Sequence, residues 1–190
     1  MPDPNRSVVI VKLGGSLLDA GRARPWLDAL AAQPQPVVIV PGGGPFADQV
    51  RHSQPLLGFD DRAAHHMAVL AMAQTACVLQ SWCPRWQLGH TPAELAGLAG
   101  QGQPALWCPT VLPDTPASWD ITSDSLAAWL AVTLQAQRLV LVKSRAARGM
   151  TPAEWASEGL VDAAFEDYAC LLDGKVRLVS HDTPPLTALY

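Results

Sequence analysis

The sequence has no apolar run approaching the roughly 18 residues that a membrane helix requires. It has no basic excess either. Its 13 Lys and Arg stand against 17 Asp and Glu, a net charge of −4, which argues against a nucleic-acid partner because phosphate-backbone binding needs a basic surface. Cys77, Cys83, Cys108 and Cys170 lack CxxC spacing, so reduced structural thiols are expected and a metal cluster is not. Neither a GxxxxGK[ST] P-loop nor a GxGxxG Rossmann fingerprint occurs. There is no repeat of solenoid length and no long linker. The segment Met1-Pro2-Asp3-Pro4-Asn5-Arg6 has no apolar core of a signal peptide, and the first strand follows directly. A cytoplasmic protein is expected.

What remains is a chain of 190 residues, 49% of them hydrophobic, which suits one α/β domain over 1–190 with a sizeable core. Seven tryptophans and seventeen prolines point to rigid loops and large core or interface side chains. The most informative feature is a pair of glycine-rich turns after the first two expected strands. One reads Val8-Val9-Ile10-Val11-Lys12-Leu13-Gly14-Gly15-Ser16, the other Val37-Val38-Ile39-Val40-Pro41-Gly42-Gly43-Gly44-Pro45. Each β-branched run reads as a buried strand entering a helix. Glycines at such a turn let backbone N–H groups approach an anion, and the helix dipole favours negative charge there.

Along the chain, strands are expected at 8–13 and 36–40. A helix is expected from Ser16 to Ala32, interrupted near Pro25, and another from Pro45 to about His52, with a loop over Gln54–Gly58. Residues 60–81 read as a long, largely buried helix that includes Met67, Leu70, Met72 and Leu79. Trp82 to His90 reads as irregular. Thr91-Pro92-Ala93-Glu94 and Thr151-Pro152-Ala153-Glu154 are capping boxes. Ala105–Cys108 reads as a strand, Val111-Leu112 as a short extended piece, and Thr122 or Ser123 as the cap of a helix reaching about Ala136. Arg138–Lys143 and Lys175–Ser180 complete the strands. This alternation implies a mostly parallel sheet covered on both faces.

Several residues carry candidate chemistry, each with a plain alternative. Lys12, just before Gly14-Gly15-Ser16, can reach a transferring phosphoryl group, or can simply snorkel from a strand end. Gly42-Gly43-Gly44 can cradle phosphate, or form a tight structural turn. Asp120 and Asp124 share a face if both are helical; Asp124 can orient a lysine near phosphates, or merely cap its helix. His65 and His66 point about 100° apart on a helix, so at most one easily faces a site. Arg51 and Arg62 can bind an acceptor phosphate, or be ordinary solvated helix arginines. Arg62 is the better candidate, because Phe59-Asp60-Asp61-Arg62 enters the long helix.

Together these segments resemble the amino acid kinase family, which includes N-acetylglutamate, uridylate, isopentenyl phosphate and fosfomycin kinases. The resemblance is carried by Val11–Ser16, Pro41–Gly44, and Asp120 through Asp124 followed by Leu126-Ala127. Pro45–Arg51, Ala64–Met72, Ser118–Ser125 and Leu141–Ser144 resemble more closely a short archaeal and methylotroph branch, which acts on furanmethyl phosphates in methanofuran-type cofactor synthesis. The resemblance implies a three-layer α/β/α sandwich with an open, mostly parallel sheet, ATP with Mg²⁺ held mainly through phosphates and water, and γ-phosphoryl transfer to a small acceptor. It assigns Lys12 and Asp124 to catalysis. Gly14, Gly15, Ser16, Asp120, Lys143 and Ser144 fall on the ATP side, and Gly42, Gly43, Gly44, Arg62 and His66 on the acceptor side. No protein metal ligand, nucleic acid or membrane is implied; a homo-oligomer is expected.

The sequence also departs from the family. The family's second phosphate lysine lies in a late glycine-methionine turn; Gly149-Met150 is the nearest stretch here, and neither Lys143 nor Lys175 sits in that context. Many relatives carry an aspartate and glycine after the strand that ends here near Val142, where this chain reads Lys143-Ser144-Arg145-Ala146-Ala147-Arg148-Gly149. The missing turn keeps open a second class of function, a non-catalytic nucleotide- or oxyanion-binding protein like the molybdenum storage proteins. A kinase acting on an amino acid carboxylate is a third reading, weakened by the short chain.

Overall fold

A computed structural model describes residues 8–111, 115–145, 147 and 149–189. Six strands form one open sheet: β1 (Val9–Leu13), β2 (Val37–Pro41), β3 (Gln87–Gly89), β4 (Ala105–Trp107), β5 (Arg138–Lys143) and β6 (Val176–Ser180), in the spatial order β3-β4-β2-β1-β5-β6. All five pairings are parallel, so the expected α/β sandwich stands with a wholly parallel sheet. Every residue of β1 and β2 is buried, as it must be where helices cover both faces. Alternate residues serve opposite layers. Ile10, Val38, Val40, Leu139 and Leu141 pack towards α4 (Pro92–Gly100), α5 (Ser123–Thr133) and α7 (Phe165–Ala169). Val9, Val11, Leu13, Ile39, Val140 and Val142 pack towards α1 (Arg24–Ala31) and α8 (Pro185–Leu189). Among the tryptophans, Trp26, Trp86 and Trp107 are fully buried core residues.

The local differences from the sequence expectations have simple causes. Pro25 starts α1 rather than interrupting a longer helix; Gly15–Leu17 and Asp19–Gly21 form 3-10 turns before it. Helix α2 (Gly44–Leu57) continues through the expected loop, with Pro55 inside it, and stops at Gly58, whose left-handed backbone (φ 70°) caps it. Asp60 accepts from Ala63 N–H and starts α3 (Asp61–Trp82), on which Met72 and Leu79 are buried but Leu70 is exposed. The stretch expected to be irregular contains β3, too short to show a period of two. The second capping box forms at α6 (Pro152–Ser157), where Thr151 and Glu154 bond each other's backbone N–H; at the first only half forms, Thr91 accepting from Glu94 N–H while Glu94 turns to His90 N–H instead of that of the cap residue. Of the expected extended piece, Val111 lies in a bend and Leu112 is outside the described residues, as are Met1–Arg6, Ala146 and Arg148.

Candidate active site at the strand ends

The chain proceeds from β1 to β2 on one side and reaches β5 on the other, so β1 lies between them at the point where the winding direction reverses. Ligands of open α/β sheets bind outside the carboxyl ends of strands at this point. Here those ends are Lys12-Leu13-Gly14, Pro41-Gly42 and Lys143. Lys12 pairs with Leu141 in the β1–β5 register, so Lys12 and Lys143 project to one side of the sheet, the side that α5 covers.

Asp124, in the first turn of α5, meets both. Lys12 Nζ lies 2.6 Å from Oδ1 and Lys143 Nζ 2.5 Å from Oδ2. Lys12 and Asp124 are each only 4% exposed. Burial opposes ionisation of Asp124, but the two ammonium groups more than offset it and hold the carboxyl below its ordinary range. Burial, then repulsion from Lys12, pulls Lys143 down to about 8 despite the attraction of Asp124. The cluster carries two positive charges against one, an excess suited to an anion.

The first turn of α5 is itself anchored from afar. Asp162 accepts from Thr122 N (3.0 Å), Thr122 Oγ1 (2.6 Å) and Ser125 N (3.1 Å), and also from the Ser125 hydroxyl. Thr122 is the N-cap of that helix. Asp162 thus fixes the turn that presents Asp124, a role with no sequence signal because the partners lie some 40 residues apart.

The glycine turns are packed on one another, backbone to backbone. A Cβ on Gly15 would lie 2.5 Å from Gly44 N and Cα, and one on Gly42 2.6 Å from Gly15 N. Gly44 takes a left-handed φ of 52°. A Cβ on Gly43 would strike Ala47 of its own helix at 2.5 Å, so it points into α2 rather than into open space for a phosphate. The tight structural turn is therefore real. Gly14 N–H donates to Val142 O and Gly42 N–H to Leu13 O, which leaves the amides of Gly15, Ser16, Gly43 and Gly44 as candidates for an anion.

Two cavities meet at the lysines. The larger, about 330 Å³, lies between α2, α3 and α5 and is lined by Gly42–Gly44, Arg51, His65, Met72 and Trp119, with Lys12 and Lys143 at its inner end. The smaller, about 250 Å³, is lined by Gly14–Ser16, Ser144, Arg145 and the same two lysines. Lys12, Asp124, Gly14, Gly15, Ser16, Gly42, Gly43, Gly44, Lys143 and Ser144 thus converge as the sequence suggested.

Three assignments move. Asp120 is exposed, precedes the helix and accepts from the Ser118 hydroxyl; it shares no helical face with Asp124 and lines neither cavity. Arg62 is exposed on the first turn of α3, away from the cavities, while Arg51 lines the larger one. Arg51 is placed by Asp48 (3.0 Å) and stacks 4.5 Å over the Trp119 ring. His66 is exposed, and His65 is the buried histidine on the cavity. The missed signal was helical phase: His65, Ala68, Val69 and Met72 follow the i, i+3, i+4, i+7 pattern.

The family model described as "Amino acid kinase family" matches residues 7–94. A curated relative from Methanocaldococcus jannaschii, named [5-(aminomethyl)furan-3-yl]methyl phosphate kinase, is 30% identical over 145 residues, 70% of this chain. Over residues 7–94 the chain thus resembles the amino acid kinase family. It spans 63% of the length of that relative. Solved structures share the fold. A uridylate kinase from Archaeoglobus fulgidus superposes with a TM-score of 0.69 at 18% identity, over 95% of this chain and 93% of the other. A UMP kinase from Bacillus anthracis gives 0.72 at 13% identity, over 96% and 90%. An aspartate kinase from Synechocystis gives 0.71 at 15%, over 94% and 39%.

Because the sequence lacks the late lysine turn, the position of Lys143 matters most. Its ammonium reaches Asp124 from the end of β5, so the cluster has two lysines although the turn is missing.

Proposed function

We propose that this protein is an ATP-dependent small-molecule kinase whose acceptor already bears a phosphate, a furanmethyl phosphate in methanofuran-type cofactor synthesis. The observation that carries this reading is the junction of two cavities on the Lys12–Asp124–Lys143 cluster. The name of the archaeal relative supports the acceptor class.

The residues fit nucleotide phosphates, since the smaller cavity joins the Gly15 and Ser16 amides to both ammonium groups. ATP would supply the γ-phosphoryl group, with Mg²⁺ carried by its phosphates and water; among the described residues no three His, Cys, Asp or Glu side chains gather to hold a metal. Lys12 and Lys143 neutralise charge that the transferring group spreads over its oxygens. Asp124 holds the two in register. Gly43 and Gly44 amides with Arg51 hold the acceptor phosphate against them. A phosphate oxygen is already nucleophilic, so no general base is required. Positioning then provides most of the acceleration.

The test is ³¹P NMR of a mixture of the protein, ATP, Mg²⁺ and a furanmethyl phosphate. Stoichiometric ADP and a new diphosphate ester are expected. Lys12→Ala should slow their formation about a hundredfold, the equivalent of about 3 kcal/mol of transition-state stabilisation. ATP binding without transfer to furanmethyl, isoprenoid or nucleoside monophosphates would return the protein to the binding class.

We further propose that the protein acts in the cytoplasm as a homo-oligomer. Its four free cysteines suit a reducing compartment. No described helix is long and apolar enough to cross a membrane. Leu56 and Leu57, 70% and 76% exposed at the end of α2, suit contact with a second copy. Sedimentation of wild type against Leu57→Glu tests the assembly.

A further inference from the structure

One group in the larger cavity is left without a partner. His65 is 4% exposed. Its Nδ1 lies 3.3 Å from the Ser118 carbonyl, and a carbonyl can only accept, so Nδ1 carries the proton. Burial holds the imidazole below its ordinary range, against the smaller opposing pull of that carbonyl, so the ring is neutral near pH 7. Nε2 is then a bare lone pair. It is buried and has no hydrogen-bond partner among the described residues. A buried acceptor of this kind is costly unless something donates to it.

Its position indicates what could donate. Ala71, the α3 side chain nearest to where a Gly43 Cβ would stand, is six residues beyond His65, which is about 9 Å along the helix. Ala68, Val69 and Met72 give the intervening wall an apolar character, and Trp119 adds an aromatic surface. A phosphate ester seated on Gly43 and Gly44 would therefore run its body past this wall and bring its far end to His65.

We propose that His65 is the specificity-determining residue of the acceptor cavity: its Nε2 accepts from an N–H or O–H group carried by the acceptor at the end remote from its phosphate. The assignment rests on the reading of this cavity as the acceptor site. The aminomethyl group in the printed name of the archaeal relative is a donor of this kind. A ring phosphate ending in a methyl group would leave Nε2 unpaired, and sites built around a buried polar group discriminate strongly against such analogues.

The probes are 4-(aminomethyl)benzyl phosphate and 4-methylbenzyl phosphate, titrated calorimetrically into the full chain. Wild type is expected to bind the amine at least tenfold more tightly. His65→Leu should bind both probes alike, at the affinity of the methyl probe, whereas His65→Gln keeps an amide oxygen and should retain part of the preference. In ¹⁵N-labelled wild type, which requires no variant to fold, the amine and not the methyl probe should shift the His65 Nε2 resonance. Equal affinities in wild type, failure to bind either probe, or a preference that survives in folded His65→Leu would overturn the assignment. Binding is read instead of turnover. A protein that binds the amine selectively but transfers no phosphoryl group would refute the kinase reading and leave the His65 assignment standing.

Discussion

Lys143 Nζ stands 2.5 Å from Asp124 Oδ2, across the carboxylate from Lys12 on Oδ1. One buried carboxylate therefore spaces two ammonium groups from neighbouring strands. The arrangement is repulsive without an anion and is completed by one, which makes the cluster sensitive to charge in ways that separate catalysis from folding.

Lys143 gives a pH test. Its value of about 8 predicts that kcat/KM for ATP is level below pH 8 and falls as pH rises through it, because the second cation is lost. Lys143→Arg keeps its charge and should move the fall to higher pH. The stability contribution runs the other way. The folded value lies below the unfolded one of about 10.4, so between about pH 8 and 10.4 the unfolded chain binds more protons, and this group's contribution to stability rises with pH. Rate profiles and thermal midpoints measured on the same samples would distinguish loss of charge from unfolding.

Asp124→Asn should cost both rate and stability. The amide can still sit in the first turn of α5, but it leaves two largely buried ammonium groups facing one another. Breaking a buried pair from the side of the shared partner costs about 3 kcal/mol or more, a fall of roughly 10 °C in Tm. Lys143→Met leaves the Lys12–Asp124 pair intact and should lower Tm less. Scanning calorimetry of the two variants decides; an unchanged midpoint in Asp124→Asn would show that the ion cluster contributes nothing to the fold.

Gly15→Ala should loosen both turns together. Its Cβ would lie 2.5 Å from Gly44 backbone atoms, which cannot rotate away as a side chain could. An overpacking cost of about 1–3 kcal/mol is expected, with weaker binding of nucleotide and acceptor alike. Gly97→Ala is the control: it lies within α4 with nothing near a new Cβ, and should stabilise by about 0.5–1 kcal/mol. Urea denaturation of both variants checks the pair.

Arg51→Ala should raise KM for the acceptor about ten- to a hundredfold with KM for ATP unchanged, since one charge-assisted phosphate contact contributes about 1.5–3 kcal/mol. Arg62→Ala should change neither. Steady-state kinetics with each substrate varied in turn gives the answer, and a selective acceptor defect in Arg62→Ala would restore the assignment suggested by sequence.

The sequence by itself determined the α/β layering, the parallel sheet and the two glycine turns. These follow from local patterns: β-branched runs such as Val37–Val40, helix caps at Thr91 and Thr151, and glycines at the strand-to-helix turns. It also placed Lys12 beside the first turn, because residues so close in the chain cannot be far apart in space. Tertiary structure decided which distant groups join them. Lys143, which the resemblance placed on the ATP side, meets Asp124 because β5 pairs with β1 in a register that puts its last residue beside Gly14, a fact of strand order. Asp162 anchors the turn carrying Asp124 from beyond α6. Arg51 replaces Arg62 because α2, and not the first turn of α3, flanks that end of the larger cavity. His65 replaces His66 because a rotation of about 100° per residue decides which side chain a packed helix turns to the cavity. Composition could not supply that phase; the apolar stripe of α3 against the sheet set it.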